Sequence, residues 1–283
     1  MTAAGLAARP VASAGWASLQ DALRMEWTKL RTVSSTFWML LAAAALTIAV
    51  SAAVSAAVNC AGGGPGGCAA ATGIDPAKTS LSGADLGQVI VALVAVLAIG
   101  GEYSTGMIRL TLTAVPRRVT VLAAKAAVVT GWTLAAGVLA VLGSLLAGRL
   151  ILPLRGVTVA HGYVVPSLAN GLDVRAAGGT VLYLVLVALL SLGVATALRD
   201  SAVAIGVVLG LLYLFPIVSN VIPDHTLARH LEQVAPMTAG LYIQSTVGLK
   251  SLPLTPWQGF GVLAAWSFGA LLLGAIVLRL RDA

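Results

Sequence analysis

Residues 37–58, FWMLLAAAALTIAVSAAVSAAV, decide the fold of this chain. The segment has no charged side chain, and its 22 residues are enough for a membrane-spanning helix. A hydrocarbon core about 30 Å thick is crossed by roughly 20 apolar residues in a helix. The segment therefore predicts a transmembrane helix.

Five more apolar runs follow, at residues 86–101, 126–147, 180–198, 201–221 and 257–278. The run at 86–101 is short and reaches full length only if its ends are included. Of the 283 residues, 59% are apolar and 10% are charged, and the mean hydropathy is +0.97. A soluble domain carries about 25% charged residues. We predict an all-α polytopic membrane protein, a bundle of six transmembrane helices.

The distribution of basic residues predicts the orientation of the bundle. If both termini are cytoplasmic, the inner segments contain most of the 17 Lys and Arg residues. The positive-inside rule then places both termini in the cytoplasm of a cell whose plasma membrane the chain crosses several times. The basic residues are scattered between spans, so topology explains the net charge of +7 better than nucleic-acid binding does. The predicted inner residues are Arg9, Arg24, Lys29, Arg31, Arg109, Arg117, Arg118, Lys125, Arg199, Arg279 and Arg281.

The segment before the first span is predicted to be an amphipathic helix at the cytoplasmic interface. Its apolar residues recur at helical spacing, and the tryptophans are typical of headgroup depth. An ordinary start to the first span is the alternative, and a cleaved signal is disfavoured because about 36 residues precede the apolar run. Residues 1–36 thus form a tail with an interfacial helix, and residues 37–283 form the transmembrane domain. The recurring residues are Trp16, Leu19, Leu23, Trp27 and Leu30.

Two cysteines, Cys60 and Cys68, flank a glycine-rich segment of the first outer loop. Two thiols without a nearby histidine cannot fill a tetrahedral zinc site. An exported loop is oxidising, and the glycines let the chain close on itself, so we predict a disulfide, with unpaired cysteines as the alternative.

Several kinds of chemistry are missing from the sequence. It contains no G-x-S-x-G or H-E-x-x-H motif. His225 and His230 are five residues apart and His161 stands alone, so we assign no metal ligand. The sequence also lacks a Walker A loop, and the Lys78-Thr79 pair lies on the predicted outer side. We therefore expect no catalytic, cofactor-binding or metal-binding residue in this chain.

The predicted spans hold almost no ionisable residues, and Glu102, Arg149 and Arg199 lie at span ends. Ion-coupled pumps usually place such groups at membrane depth, so a secondary transporter is disfavoured. In the fifth span, Gly206 and Gly210 would allow close helix packing, although such spacing is common in Ala/Gly-rich spans. Pro216 is expected to kink that span.

The loop between the second and third runs carries the most information. Pro116 suits the first turn of a helix, so the third helix is predicted to begin in the cytoplasm and to carry Arg117 and Arg118. The residues before Pro116 form a short, half-polar element. From the residues alone, a connector whose arginines only fix the topology is equally compatible.

A pattern runs through this loop at Glu102, Tyr103, Gly106, Ile108, Arg109, Leu112, Pro116, Arg117, Arg118 and Lys125. It resembles the first cytoplasmic loop of type-2 ABC transporter permeases, especially those of actinobacteria. Residues 26–32, EWTKLRT, are similar to the segment that opens those permeases. Together with the span count and orientation, the resemblance covers nearly the whole chain. The long outer segment at residues 148–179 departs from the expected pattern.

The resemblance implies that residues 102–112 form a cytoplasmic coupling helix, which rests in a groove of a separate ABC ATPase subunit. Glu102 and Arg109 would be polar contacts, and Arg117 and Arg118 would face the ATPase or lipid phosphates. The loop at residues 223–256 would fold into short outer-leaflet helices. ATP and magnesium would bind the partner ATPase, and a second permease copy or paralogue would complete the unit.

These expectations describe the permease subunit of an ATP-driven exporter that moves a hydrophobic or amphipathic substrate outward by alternating access. A non-transporting membrane scaffold or assembly subunit is the main alternative. An ion-coupled carrier or a membrane enzyme is a third hypothesis. The sequence does not specify the substrate.

Overall fold

The computed structural model describes residues 20–28, 34–58, 74–107, 118–159 and 163–280. Most of the residues in these ranges are helical, and no strand occurs in them. We number the α-helices in chain order: α1 (20–28), α2 (Ser34–Ala57), α3 (Pro76–Leu81), α4 (Ala84–Ser104), α5 (Arg118–Ile151), α6 (Gly171–Leu198), α7 (Ser201–Val221), α8 (His225–Val234), α9 (Pro236–Leu241) and α10 (Pro256–Leu280).

Six helical segments are long and apolar enough to cross a membrane, which confirms the predicted all-α bundle with six spans. They are Ser35–Ala57, Pro76–Ser104, Arg118–Arg155, Gly171–Leu198, Ser201–Val221 and Pro256–Leu280. The second and third segments have 29 and 38 residues, so both are longer than the apolar runs that predicted them. The predicted outer segment at 148–179 is shorter than expected, because α5 continues to Ile151 and α6 begins at Gly171.

Local hydrogen bonds explain why these helices extend past their apolar runs. Asp75 caps α3 by accepting a hydrogen bond from the Lys78 backbone N–H at 3.1 Å, and Pro76 occupies the first helical turn. The Ser80 hydroxyl donates to the Pro76 carbonyl at 2.7 Å. Asn170 caps α6 by accepting from the Leu172 N–H at 3.2 Å. Polar residues therefore start these helices, although a search for apolar runs ignores them.

Helix α6 is the centre of the bundle. In its most apolar window 78% of the residues are buried, compared with 17% for α7. It packs against α4, α5, α7 and α10 and contributes fully buried Tyr183, Leu190 and Leu192 to the main core. Four of the other spans, α4, α5, α7 and α10, therefore surround α6, and α2 packs on α4 and α5 instead.

Helices α6 and α10 approach each other backbone to backbone. A Cβ atom at Gly193 would lie 2.5 Å from the backbone of Ala270 and Leu271, and one at Gly274 would lie 2.8 Å from the Gly193 carbonyl oxygen. By contrast, Gly206 and Gly210 of α7 have no atom within 4 Å of such a Cβ. The close packing expected at these two glycines is thus absent within the described chain, and Gly193 and Gly274 provide it instead.

A polar network joins α4, α6 and α7 inside the bundle. The buried Gln88 side chain accepts a hydrogen bond from the Tyr183 hydroxyl and donates to the Tyr213 hydroxyl at 3.1 Å. Tyr213 donates in turn to the Asp85 carbonyl oxygen. Buried amide and hydroxyl groups are costly unless they are bonded, so this network fixes the relative positions of the three helices.

At the end of the bundle where α6 and α10 begin, Asp75 also ties two loops together. Its carboxylate accepts hydrogen bonds from the Thr246 hydroxyl at 2.7 Å and from the Val247 N–H at 3.0 Å. The expected short helices at residues 223–256 are present as α8, α9 and the 3-10 turn Tyr242–Gln244. Helix α9 packs on α10, where Gly259 lies against the Ala239 carbonyl.

Helix α8 is amphipathic and has no buried residue. Asp224 caps it by accepting from the Thr226 N–H at 2.8 Å and from the Leu227 N–H at 3.4 Å. These two hydrogen bonds lower the pKa of the Asp224 carboxyl. Leu227 and Val234, two apolar residues of this helix, are about half exposed. The helix contacts α7, α9 and α10, so its apolar face is partly covered, and its location in the outer leaflet stays a prediction.

Substituting Gly193 with alanine should destabilise the bundle, because the added methyl group would overlap backbone atoms of α10. Overpacking of a core costs about 1–3 kcal/mol, and a clash with backbone should reach the upper end of that range. The measurement is the free energy of unfolding of the purified chain in mild detergent.

Gly206→Ala is the matched control, because α7 has open space at that position. Its stability should stay unchanged or rise slightly, since alanine favours helix more than glycine does. Equal stability of the two variants would contradict the close packing of α6 and α10.

Candidate functional site

Three buried charged side chains meet where α1, α4 and α5 come together. The Lys125 ammonium lies 2.8 Å from Glu26 Oε2 and 3.0 Å from Glu102 Oε1. It also donates a hydrogen bond to the Ala98 carbonyl oxygen at 2.9 Å. The exposed fractions of Lys125, Glu26 and Glu102 are 2%, 2% and 6%. We call these three residues the Lys125 cluster.

The helical repeat explains how the cluster forms. Ala98 and Glu102 are four residues apart, so they lie on one face of α4. Ala22 and Glu26 share a face of α1 in the same way, and Ala22 packs with Val121 and Ala124 of α5. This small apolar cluster beside Lys125 keeps water from the ion pairs. An ammonium has three N–H donors, and the three acceptors match that number.

Burial determines what the cluster contributes. An ion pair inside a protein adds little net stability, because removing both charges from water is costly. Loss of one partner is different, since it leaves an uncompensated buried charge and costs about 3–5 kcal/mol. The cluster therefore penalises any arrangement in which α1, α4 and α5 separate.

An aromatic contact holds α1 against α5 next to the cluster. The rings of Trp27 and Trp132 stack with centroids 5.4 Å apart and planes inclined by 26°. Part of the predicted segment is helical, at residues 20–28, and its location at the membrane interface stays a prediction. Its buried positions are Ala22 and Glu26, whereas Trp27 is 49% exposed. Trp16, Leu19 and Leu30 lie outside the described residues.

Two arginines bind the end of α10 on the same side of the bundle. Arg118 Nη1 donates to the Leu278 carbonyl oxygen at 2.9 Å, and Arg199 Nη2 donates to the Val277 carbonyl oxygen at 3.3 Å. The last carbonyls of a helix lack partners within the helix and carry its negative dipole end. Arg199 also lies 5.8 Å from the centre of the Tyr103 ring. These contacts connect α4, α5, α6 and α10.

The residues expected to contact an ATPase have different surroundings. The Glu102 side chain faces the protein interior and pairs with Lys125, so it does not offer a surface contact in this arrangement. Tyr103 is half-buried beside Arg199, and Gly106 is exposed with a φ of +70°, a conformation that favours glycine after a helix. Arg118 is partly buried and bonded to α10. Ile108, Arg109, Leu112, Pro116 and Arg117, as well as Cys60 and Cys68, lie outside the described residues.

The apolar runs do not reveal the buried roles of Glu26 and Lys125. Both residues belong to the motifs quoted above, but the distribution of basic residues uses Lys125 only to predict topology, and the predicted third span begins at residue 126. The structure places Lys125 in the second turn of α5, so the spans are not as free of charge as the apolar runs suggested. One sequence feature could have indicated the ion pairs. Lys125 directly precedes a long apolar run, and Glu26 and Glu102 lie in segments that are predicted to be on the same side of the membrane.

No family model matches this sequence, and no curated protein matches it either. Among the described residues, no group of three His, Cys, Asp or Glu side chains could hold a metal ion. The Lys125 cluster joins α1, α4 and α5 through two ion pairs and a hydrogen bond, and residues 108–117 connect α4 to α5 along the chain.

Replacing Lys125 with methionine should lower the free energy of unfolding by about 3–5 kcal/mol, because two carboxylates would stay buried without their ammonium. The triple variant Glu26→Gln, Glu102→Gln, Lys125→Met should recover most of this loss. Both effects can be measured by chemical unfolding in detergent.

Lys78→Met is the matched control, because the Lys78 side chain is exposed and belongs to none of these contacts. It should leave stability within about 0.5 kcal/mol of the parent, as surface substitutions usually do. If Lys125→Met behaves like this control, the cluster does not hold the three helices together.

Proposed function

We propose that this chain is the permease subunit of an ATP-driven exporter of the type-2 ABC class, powered by a separate ATPase. The observation that carries the proposal is the Lys125 cluster. It joins α1 to the two helices that flank residues 108–117, the segment that resembles the coupling loop of those permeases. An element that receives force from a partner needs such a rigid connection to the spans.

The contacts of the described residues suggest a path for that force. Residues 108–117 connect α4 to α5, and the 3.0 Å ion pair between Glu102 and Lys125 holds the ends of these helices together. A displacement of the loop would thus move α4 and α5 as one unit. Arg118 would pass the movement to α10 through its bond to Leu278, and both α4 and α5 pack directly on α6.

The proposal also accounts for the source of energy. The sequence has no Walker A loop, so ATP and magnesium would bind the partner ATPase. Two permeases and two ATPases would form the working unit in the plasma membrane, with the Lys125 end of the bundle facing the cytoplasm. Arg118, Lys125 and Arg199 at that end agree with the orientation that the positive-inside rule predicts.

Alternating access requires a span that can move relative to the others, and α7 is the best candidate. It is the least buried span and contains Pro216 inside the helix. Proline removes a backbone hydrogen bond from the helix interior and weakens the helix there. The apolar spans suit a hydrophobic or amphipathic substrate, which would leave toward the outer side.

Reversing the charge of Arg109 with Arg109→Glu should reduce the amount of ATPase that copurifies with the tagged chain by at least about tenfold. Placing a like charge at an interface costs several kcal/mol, which justifies this magnitude. The stability of the purified chain should stay unchanged. The measurement is quantitative mass spectrometry of the ATPase recovered in mild detergent.

Arg155→Glu is the matched control, because Arg155 is exposed at the opposite end of the bundle. It should retain the ATPase at the level of the parent. Normal copurification and normal substrate-stimulated ATP hydrolysis in Arg109→Glu would overturn the role of Arg109. If no ATPase copurifies with the parent chain, the scaffold hypothesis is favoured instead.

A further inference from the structure

A small cavity of about 210 Å³ lies at the end of the bundle opposite the Lys125 cluster. Its walls come from α3, the start of α4, the last turns of α7, helix α9 and the 3-10 turn Tyr242–Gln244. Asp85, which lines the cavity, is in the first turn of α4, whereas Glu102 of the Lys125 cluster is in the last turn. The full length of α4 therefore separates the two sites.

Two residues that line the cavity have a buried polar atom without a hydrogen-bond partner among the described residues. These atoms are Nε2 of Gln244 and the hydroxyl oxygen of Thr238. The Gln244 residue is only 1% exposed. A buried donor that stays unpaired is costly, and buried polar groups of native proteins nearly always have a partner. The partner of the Gln244 amide is therefore expected to be water or a bound ligand.

The cavity also has one lining side chain of each charge. The Asp85 carboxylate is partly exposed and makes no hydrogen bond or ion pair with the described residues, and the Lys78 side chain is exposed. Glu232, which accepts a hydrogen bond from the Tyr242 hydroxyl at 3.2 Å, does not line the cavity itself. Lys78 repels a simple cation and Asp85 repels a simple anion, whereas a ligand with both charges is attracted by both residues.

The remaining wall is apolar and limits the kind of ligand further. It includes Pro216, Met237 and Leu241, which can contact an apolar side chain but cannot bind a polar one. The volume is below the range of about 300–1,000 Å³ that is typical of sites for drug-sized molecules. The cavity therefore suits a small molecule with a charged polar part and an apolar part.

We propose that this cavity binds a small zwitterion, an α-amino acid with an apolar side chain. The ammonium group of the ligand pairs with Asp85, its carboxylate accepts a hydrogen bond from Gln244 and is attracted to Lys78, and its side chain contacts Met237 and Leu241. An exposed ammonium avoids hydrocarbon, so Lys78 marks the side from which the ligand enters, which is the predicted outer side. The site is independent of the proposed export function, because it depends only on the residues of the cavity.

L-Leucine is the probe, because it is a zwitterion with a branched apolar side chain. Its binding to the full chain, purified in mild detergent, is measured by isothermal titration calorimetry at neutral pH. Leucinamide lacks the carboxylate and 4-methylpentanoate lacks the ammonium group, but both keep the same side chain. Each should bind at least about tenfold more weakly than leucine, as expected for the loss of one hydrogen bond to a charged group.

Variants of the lining residues test where leucine binds. Gln244→Leu and Asp85→Asn should each weaken leucine binding at least about tenfold, because each removes one group that bonds the ligand. Lys78→Met should also weaken binding, and because its stability is expected to equal that of the parent, weaker binding cannot be attributed to unfolding. Gln258→Leu is the matched control for Gln244→Leu, because Gln258 is exposed on α10 and does not line the cavity, so it should bind leucine like the parent.

The absence of leucine binding at millimolar concentration would overturn the proposal, because it would mean that water alone occupies the cavity. Binding of leucinamide or 4-methylpentanoate as tight as that of leucine would contradict recognition of a zwitterion. Unchanged leucine binding in both Gln244→Leu and Lys78→Met would place the ligand elsewhere and would also overturn the proposal. No ATPase is present in these measurements, so their failure is distinguishable from a failure of the proposed export function.

Discussion

A polypeptide in hydrocarbon has no water to satisfy its polar groups, and each such group must find a partner inside the protein. The helices satisfy the backbone in this way. Hydroxyl side chains within the spans bond to carbonyls one turn earlier, as Thr47 does to Ala43 at 2.7 Å and Ser191 does to Val187 at 2.7 Å. The Gln88–Tyr183–Tyr213 network and the Lys125 cluster follow the same rule with larger groups, and both connect helices that are distant in sequence.

Polar groups find their partners in different ways at the two ends of the bundle. Around Lys125, charged side chains from α1, α4 and α5 neutralise one another, and two arginines bind the last carbonyls of α10. At the other end, Asp75 binds backbone N–H groups and a hydroxyl of the loop at Thr246. Ion pairs hold helices at one end, whereas carboxylates such as that of Asp75 hold loops at the other. A partner that acts on the Lys125 end would therefore act on the helices themselves.

The number of spans and the helical class could be predicted from the sequence, because both depend on local apolar length. The helix ends could not be predicted equally well, since a run of apolar residues marks the hydrocarbon region and the helices continue beyond it. Asp75-Pro76 was a readable start signal for α3, as a capping residue followed by proline. The ion pairs of Lys125 could not be predicted from a local motif, because Glu26 is 99 residues away in the sequence and Glu102 is 23 residues away. Which glycines lie at a close helix contact could not be predicted either. The tertiary arrangement brings Gly193 to the backbone of α10 and leaves Gly206 exposed.

The close contact between α6 and α10 has a consequence for biosynthesis. Helix α6 is made before α7, α8, α9 and α10, and membrane helices insert individually before they pack. The face of α6 around Gly193, against which the α10 backbone packs, therefore has no protein partner until α10 has been inserted. During this interval the central helix lacks its most extensive neighbour, and a nascent chain is most vulnerable to chaperone capture or degradation when its packing is incomplete. The packing of α6 is thus complete only after α10 has been inserted.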